Sequence, residues 1–235
     1  MGIFSEVSDD CFALTPLAAT LKSDSPGSMR YFAMAQMGYE FSLGWSHGLH
    51  SLKTGESAFE ASAGMSIWDY RAQHPEGAQL FSRSLSGVGA EVAQAVAASY
   101  DFSEMNTIVD VDAAIQPVAG NFFESVPTGG DAYLLRWIIH NWNDESSLMI
   151  LRNCHQAMPD HAKLLLVEAI IPPGNEPSAA KFLDIIMLTM ESGRERSEEE
   201  YRSLLQSSGF ELTRVIPTPA MFNISIIEAV KITKR

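Results

Sequence analysis

The chain has 235 residues, 46% of them hydrophobic and 19% charged, the profile of an ordinary globular protein and not of a disordered one. Lys and Arg number 16 against 29 Asp and Glu, and the net charge of -13 repels phosphate backbones and anionic lipid, which argues against nucleic acid or a membrane as partner. No apolar run reaches the roughly 18 residues of a bilayer span, and the acidic start MGIFSEVSDD is unlike a signal peptide, so a cytoplasmic location is expected.

From Ile3 to Leu21 a polar turn leads into FALTPLAATL, which reads as the end of one unit running into a new helix. From Ser28 through Tyr100 apolar residues recur at helical spacing, first Met34, Met37, Phe41 and Leu43, later Phe81, Leu85, Val88, Val92 and Val96. Gly44, Gly55, Gly64 and the His74-Pro75-Glu76-Gly77 turn punctuate this all-helical stretch. The two cysteines, Cys11 and Cys154, have no ligand spacing, so neither a disulfide nor a metal site is expected and both read as buried thiols.

At Thr107 the pattern changes. TIVDV is a short β-branched run without helical period, fitting a buried parallel strand. A second strand is expected over Asp131–Ile139, then a helix over DESSLMILRNCHQAM capped by Asn143 or Asp144, then an apolar strand over Ala162–Ile171. Lys181–Met190 reads as a helix, and SEEEYRSLLQSSGF opens with a Ser-x-x-Glu capping box and stops at Gly209. Strands over Glu211–Ile216 and Asn223–Ile232 close the chain. Strand, helix, strand around a buried sheet means α/β.

The order of elements, together with WSHGLHSLKTG from Trp45, Trp68-Asp69-Tyr70, His74-Pro75-Glu76, Val109-Asp110-Val111, NFFESVP from Asn121, LRWIIHNWND from Leu135, LVEAIIP from Leu166 and GRERSEE from Gly193, resembles the caffeate-type and hydroxyneurosporene-type O-methyltransferases over nearly the whole chain. The resemblance implies a Rossmann-like class I methyltransferase domain over 101–235. Before it, over 1–100, it implies a mostly α-helical dimerisation and substrate-capping region made of the end of a winged helix plus linker helices. It also implies S-adenosyl-L-methionine as cofactor, with S-adenosyl-L-homocysteine as product, a small hydroxylated acceptor of aromatic or polyketide-like character, and a homodimer.

Residue by residue, His140 matches the family's catalytic base. A histidine where open α/β sheets place their ligands is well tuned to take a phenolic proton near neutral pH. The plainer alternative is a histidine hydrogen-bonded at a strand end. Glu168 and Glu195 match the acids that flank the base; Glu168 tips an apolar strand and needs a partner there, while Glu195 could equally be a solvated charge near a helix start. Other members carry an acid where this chain has Asn141. Asp110, Asn121, Phe122, Arg136 and Trp137 fall in segments that contact the cofactor, and Trp45, Phe81, Trp142, Met187 and Met190 in segments that line the acceptor site. Aromatics and methionines suit a flat acceptor, although at helical spacing they also serve as ordinary core.

The chain departs from the family after Val111. Where a G-G-G-x-G loop lets the backbone approach the cofactor, the sequence reads Asp112-Ala113-Ala114-Ile115-Gln116-Pro117, and almost at once Val118-Ala119-Gly120-Asn121-Phe122. The loop, a helix, the second strand and the acid for the ribose hydroxyls are missing, and the acid expected beside the adenine is Asn121. Either a longer chain carries these stretches, or the protein has shed them and cannot methylate. In the second case the same pocket would serve another reaction, such as a rearrangement or cyclisation, or the chain would be a non-catalytic partner. That a sheet short of a central unit should fold poorly favours the first.

Overall fold

The computed structural model describes residues 2–23, 25, 27–111, 120–191 and 193–232. The chain forms two compact units, Met1–Gln94 and Ala95–Arg235. The run from Asp112 to Ala119, where the family's glycine loop would stand, lies outside the described residues.

The first unit begins with an antiparallel hairpin, β1 (Phe4–Ser8) and β2 (Cys11–Leu14). Its strands are largely exposed, so Cys11 is exposed, against the expectation of a buried thiol, whereas Cys154 is buried. The difference is one of layers: an uncovered two-stranded ribbon cannot bury its faces. Helices α1 (Pro16–Ala19), α2 (Arg30–Gln36), α3 (Tyr39–Ser46), α4 (Gly48–Thr54), α5 (Ala58–Ala63) and α6 (Ile67–Gln73) follow. The hydroxyls of Thr15, Ser57 and Ser66 cap α1, α5 and α6 by accepting backbone N–H bonds. The long α7 (Pro75–Ser99) runs on across the division between the units.

The second unit is a five-stranded sheet covered by helices. In chain order its elements are β3 (Ile108–Asp110), β4 (Ala132–Arg136), α8 (Asp144–Ala157), β5 (Lys163–Ala169), α9 (Ala179–Met190), α10 (Glu198–Ser207), β6 (Phe210–Pro217) and β7 (Ile224–Lys231). The order across the sheet is β3-β4-β5-β7-β6, with β3, β4 and β5 parallel and β7 antiparallel to both β5 and β6. β5 lies at the centre, so Leu164, Leu165, Leu166 and Val167 are buried on both faces; each such side chain contributes roughly 1.5–3 kcal/mol of burial. Ile150, Leu151 and Cys154 from α8, and Tyr201, Leu204 and Leu205 from α10, complete this core.

Asn143 caps α8 by accepting from the Ser146 N–H, and Ser197 with Glu200 forms the expected capping box on α10. One expectation fails in a way that matters. The strand anticipated over Asp131–Ile139 ends at Arg136, because Trp137 takes a left-handed φ of 53° and Ile139–Asn141 forms a 3₁₀ turn. His140 therefore sits in that turn, beyond the strand end. At the sheet's other side β3 pairs only with β4 among the described residues, and Ile108 is exposed.

Candidate active site

Three chain segments converge beyond the carboxyl ends of β4 and β5. The turn after β4 carries His140, the carboxyl end of β5 carries Glu168, and the stretch between α9 and α10 carries Glu195. All three side chains are buried. His140 Nδ1 lies 2.7 Å from Glu195 Oε1. Glu168 Oε1 accepts from the N–H of Ile138 at 3.1 Å and of Ile139 at 2.8 Å, fastening the two residues ahead of His140.

The left-handed Trp137 turns the chain so that these amides face Glu168. The Asn141 carboxamide then donates to the Trp137 carbonyl at 3.1 Å, which closes the turn on itself.

Burial alone would lower the basicity of His140, but the negative charges of Glu195, Glu168 and Glu191 and the Glu195 hydrogen bond outweigh it, and its pKa rises to about 9. Glu168 is pushed up to about 7, chiefly by burial and further by the charge of Glu195, against the opposing pull of His140 and the Ile139 amide. Glu168 Oε2 and Glu195 Oε2 are buried without a hydrogen-bond partner among the described residues, as is the indole nitrogen of Trp137. Unpaired buried carboxylate oxygens are costly and mark a place that a cation or a donor would fill. One atom from each of the three side chains lies within 4.8 Å of the others, a spacing compatible with a metal ion. The His140–Glu195 hydrogen bond and the bonds of Glu168 to the Ile138 and Ile139 amides account for that closeness.

The remaining expected residues fall in two groups. Asp110 ends β3, beside β4, where the Val111 N–H donates to the Leu134 carbonyl. Asn121 is engaged in its own turn: its carbonyl accepts from the Phe123 N–H and its amide donates to Glu124. Phe122 is tied to α8 through Asn153, and with Phe123 it packs edge-on against Trp142. Arg136 and Trp137 continue directly into the His140 turn, and Met187 and Met190 are buried on α9. Trp45 and Phe81 belong to the first unit. Phe81 lies under the Arg71 guanidinium, 3.5 Å from its centroid, and lines a cavity of about 760 Å³ with Tyr39, Glu40, Tyr70, His74 and Leu80.

Sequence reasoning gave no role to Arg196, Asp184 or Gly193. Arg196 is 1% exposed and its guanidinium reaches the carbonyls of Ile139 and Trp142 as well as Asp144. Asp184 accepts from the Glu195 N–H at 2.9 Å. The GRERSEE string held the signal for two of these, but nothing local in it says that the arginine points inward.

Comparison with known proteins decides the family. Residues 111–211 match the O-methyltransferase domain model. Phenazine O-methyltransferase PhzM of Lysobacter antibioticus is 37% identical over an alignment covering 97% of this chain and 78% of that protein. This chain is a member of the S-adenosylmethionine-dependent O-methyltransferases. O-demethylpuromycin-O-methyltransferase of Streptomyces alboniger is 35% identical, covering 97% of this chain and 73% of that protein. The solved structure of LaPhzM superposes with a TM-score of 0.89 at 37% identity, covering 98% of this chain and 81% of that one.

The fold class expected from the sequence, a Rossmann-like class I methyltransferase, is therefore correct. The PhzM alignment runs over 270 residues, more than this chain possesses, so the relative carries several dozen residues inside the matched span that this O-methyltransferase lacks. Of the cofactor, the second unit fits the charged end: the unpartnered oxygens of Glu168 and Glu195 suit a sulfonium, and the Phe122, Phe123 and Trp142 rings offer an apolar wall.

Proposed function

We propose that this O-methyltransferase methylates a hydroxyl of a small, flat aromatic acceptor of the kind named for its relatives, phenazines and aminohydroxybenzoates among them, with His140 as general base. The observation that carries the reading is the buried His140–Glu195 contact. With Nδ1 engaged by a carboxylate, Nε2 is the nitrogen left to take the acceptor's proton, and the carboxylate stabilises the imidazolium that results.

S-adenosylmethionine, when bound, would supply the activated methyl group and a positive charge. Glu168 fixes the turn that presents His140, and Glu195 fixes the tautomer and the ring. Asp110, Phe122, Arg136 and Trp137 hold the cofactor in this reading, with Asn121 contributing only the lone pair and proton its own turn leaves over. Trp142, Met187 and Met190 select the acceptor in the second unit, while Trp45 and Phe81, expected in the same role, belong to the first. Most of the rate then comes from holding two reactants in line.

A homodimer in the cytoplasm is part of the same proposal. It is supported by large apolar side chains left exposed in the first unit, among them Met37, Leu49 and Leu52. No helix among the described residues is long and apolar enough to cross a membrane.

His140→Ala is expected to abolish turnover while leaving affinity for S-adenosylmethionine nearly intact. A variant as active as the parent would refute the base assignment. One observation favours a second reading, in which methyl transfer has been lost and the pocket serves another reaction or a partner: the several dozen residues missing relative to PhzM. Calorimetry with S-adenosylmethionine and S-adenosylhomocysteine separates the two, since absent or millimolar binding supports the second.

A further inference from the structure

One short segment, residues 194–196, meets His140 at both its backbone and its ring. The Arg194 N–H donates to the His140 carbonyl at 2.8 Å, and Glu195 meets the ring. Arg196, the next residue, reaches the backbone around His140 and not its ring. Its Nη1 donates to the Ile139 carbonyl at 3.1 Å and its Nη2 to the Trp142 carbonyl at 2.9 Å, while Nε and Nη2 both reach Asp144 Oδ1, at 3.1 and 2.7 Å. The Arg196 carbonyl accepts from the Ile171 N–H, which ties the segment to the chain leaving β5.

A buried guanidinium loses much hydration, and its fork fixes direction in a way an ammonium cannot. Here it spans the two carbonyls that bracket His140 and neutralises itself on Asp144 at the start of α8. The residues that anchor the base thus stand side by side in sequence: one acts on the ring and the other on the backbone beneath it.

We propose that Arg196 is a positioning residue for methyl transfer, setting the pitch of the His140 turn so that the imidazole stays on Glu195. The proposal rests on the reading of His140 as base. It makes Asp144, at the exposed end of the guanidinium, part of the same device, with a side chain still 59% exposed.

The test is proton NMR of the full chain, reading the downfield resonance that an Nδ1 proton held against a carboxylate produces, together with S-adenosylmethionine affinity by calorimetry and kcat with 1-hydroxyphenazine as probe acceptor. His140→Ala identifies the resonance by its loss. Arg196→Lys keeps the charge but not the fork. Asp144→Ala removes the anchor from a solvated position, where the fold should survive. Both are expected to exchange the Nδ1 proton with water about tenfold faster or more, and to lose a comparable factor in kcat with cofactor affinity within about threefold, as a small misplacement of a reacting group would.

Should Arg196→Lys fail to fold, Asp144→Ala decides alone. Folded variants with wild-type exchange and kcat overturn the proposal while leaving the base intact. A wild-type spectrum without a resonance sensitive to His140→Ala removes the His140–Glu195 pairing itself, and the proposal with it.

Discussion

His140 and Glu195 meet at 2.7 Å inside the protein, with the imidazole 9% exposed and the carboxylate not at all. That contact predicts a pH profile. The carboxylates hold the His140 pKa at about 9, so in the free enzyme the base is mostly protonated at neutral pH. The ratio kcat/KM should climb with pH and level off near 9. Glu195→Gln removes the nearest negative charge and should move that limb to lower pH, at the cost of a lower plateau as the ring loses its orienting partner. Initial rates across the range decide it: a limb that stays in place in the variant would mean that another group titrates. Folding carries the same sign. A histidine whose pKa rises from 6.5 to about 9 on folding adds stability that is complete below 6.5 and gone above 9, so thermal unfolding should occur at lower temperature above that window.

Glu168 has a different task from Glu195, and substitutions should separate the two. Its Oε1 satisfies two buried amides, those of Ile138 and Ile139. Glu168→Ala leaves both donors without a partner, each costing on the order of 1–3 kcal/mol, and should lower the unfolding temperature markedly. Glu168→Gln keeps an acceptor oxygen in place and should melt close to the parent. Equal melting of the two variants would show that the amides do not depend on this side chain.

Glu228 anchors the opposite end of the sheet. Its carboxylate accepts from the hydroxyls of Tyr100 and Thr213, is bridged twice by Arg214, and lies 3.5 Å from the Lys163 ammonium. Burial would raise its pKa, yet the bonds from Arg214, Tyr100 and Thr213 and the charge of Lys163 bring it down to about 2. A depressed acid stabilises the fold above its unfolded value of 4.5, and that share is lost as pH falls from there towards 2. Glu228→Gln should therefore flatten the acid limb of stability between those values while lowering stability at neutral pH. An unchanged acid limb would assign it to other carboxylates.

How much of this was legible before the fold was known depends on where each signal lies. Apolar period and caps are local, so the strands near Thr107 and Ala162, the Asn143 cap and the Ser197–Glu200 box could be placed from the chain alone. The left-handed Trp137 could not. The run Trp137-Ile138-Ile139 looks like a continued strand, and what ends it is a carboxylate from β5 capturing two amides, a long-range contact with no local trace. The pairing of His140 with Glu195 was readable only through resemblance. Arg196 stayed hidden because a charged residue before a helix ordinarily faces water.

Gly193 opens the strap, residues 193–196, that holds His140, and the strap can reach His140 only because its first residue has no side chain. A Cβ on Gly193 would sit 2.1 Å from the His140 carbonyl oxygen and 2.8 Å from the Asn141 backbone. Both neighbours are backbone, so the clash cannot be relieved by a rotamer change. Gly193→Ala must therefore push the strap and the His140 turn apart, lengthening the Arg194 N–H to His140 carbonyl bond and the Glu195 contact together. The turn also carries Ile138 and Ile139 of the second unit's core, so the variant should lose stability as well as activity. A displacement of the base by around 1 Å lowers turnover roughly a hundredfold, and activity per folded molecule should fall by about that factor while the melting temperature also drops. Retained turnover in Gly193→Ala would show that the turn tolerates the shift and that the base need not be held this tightly.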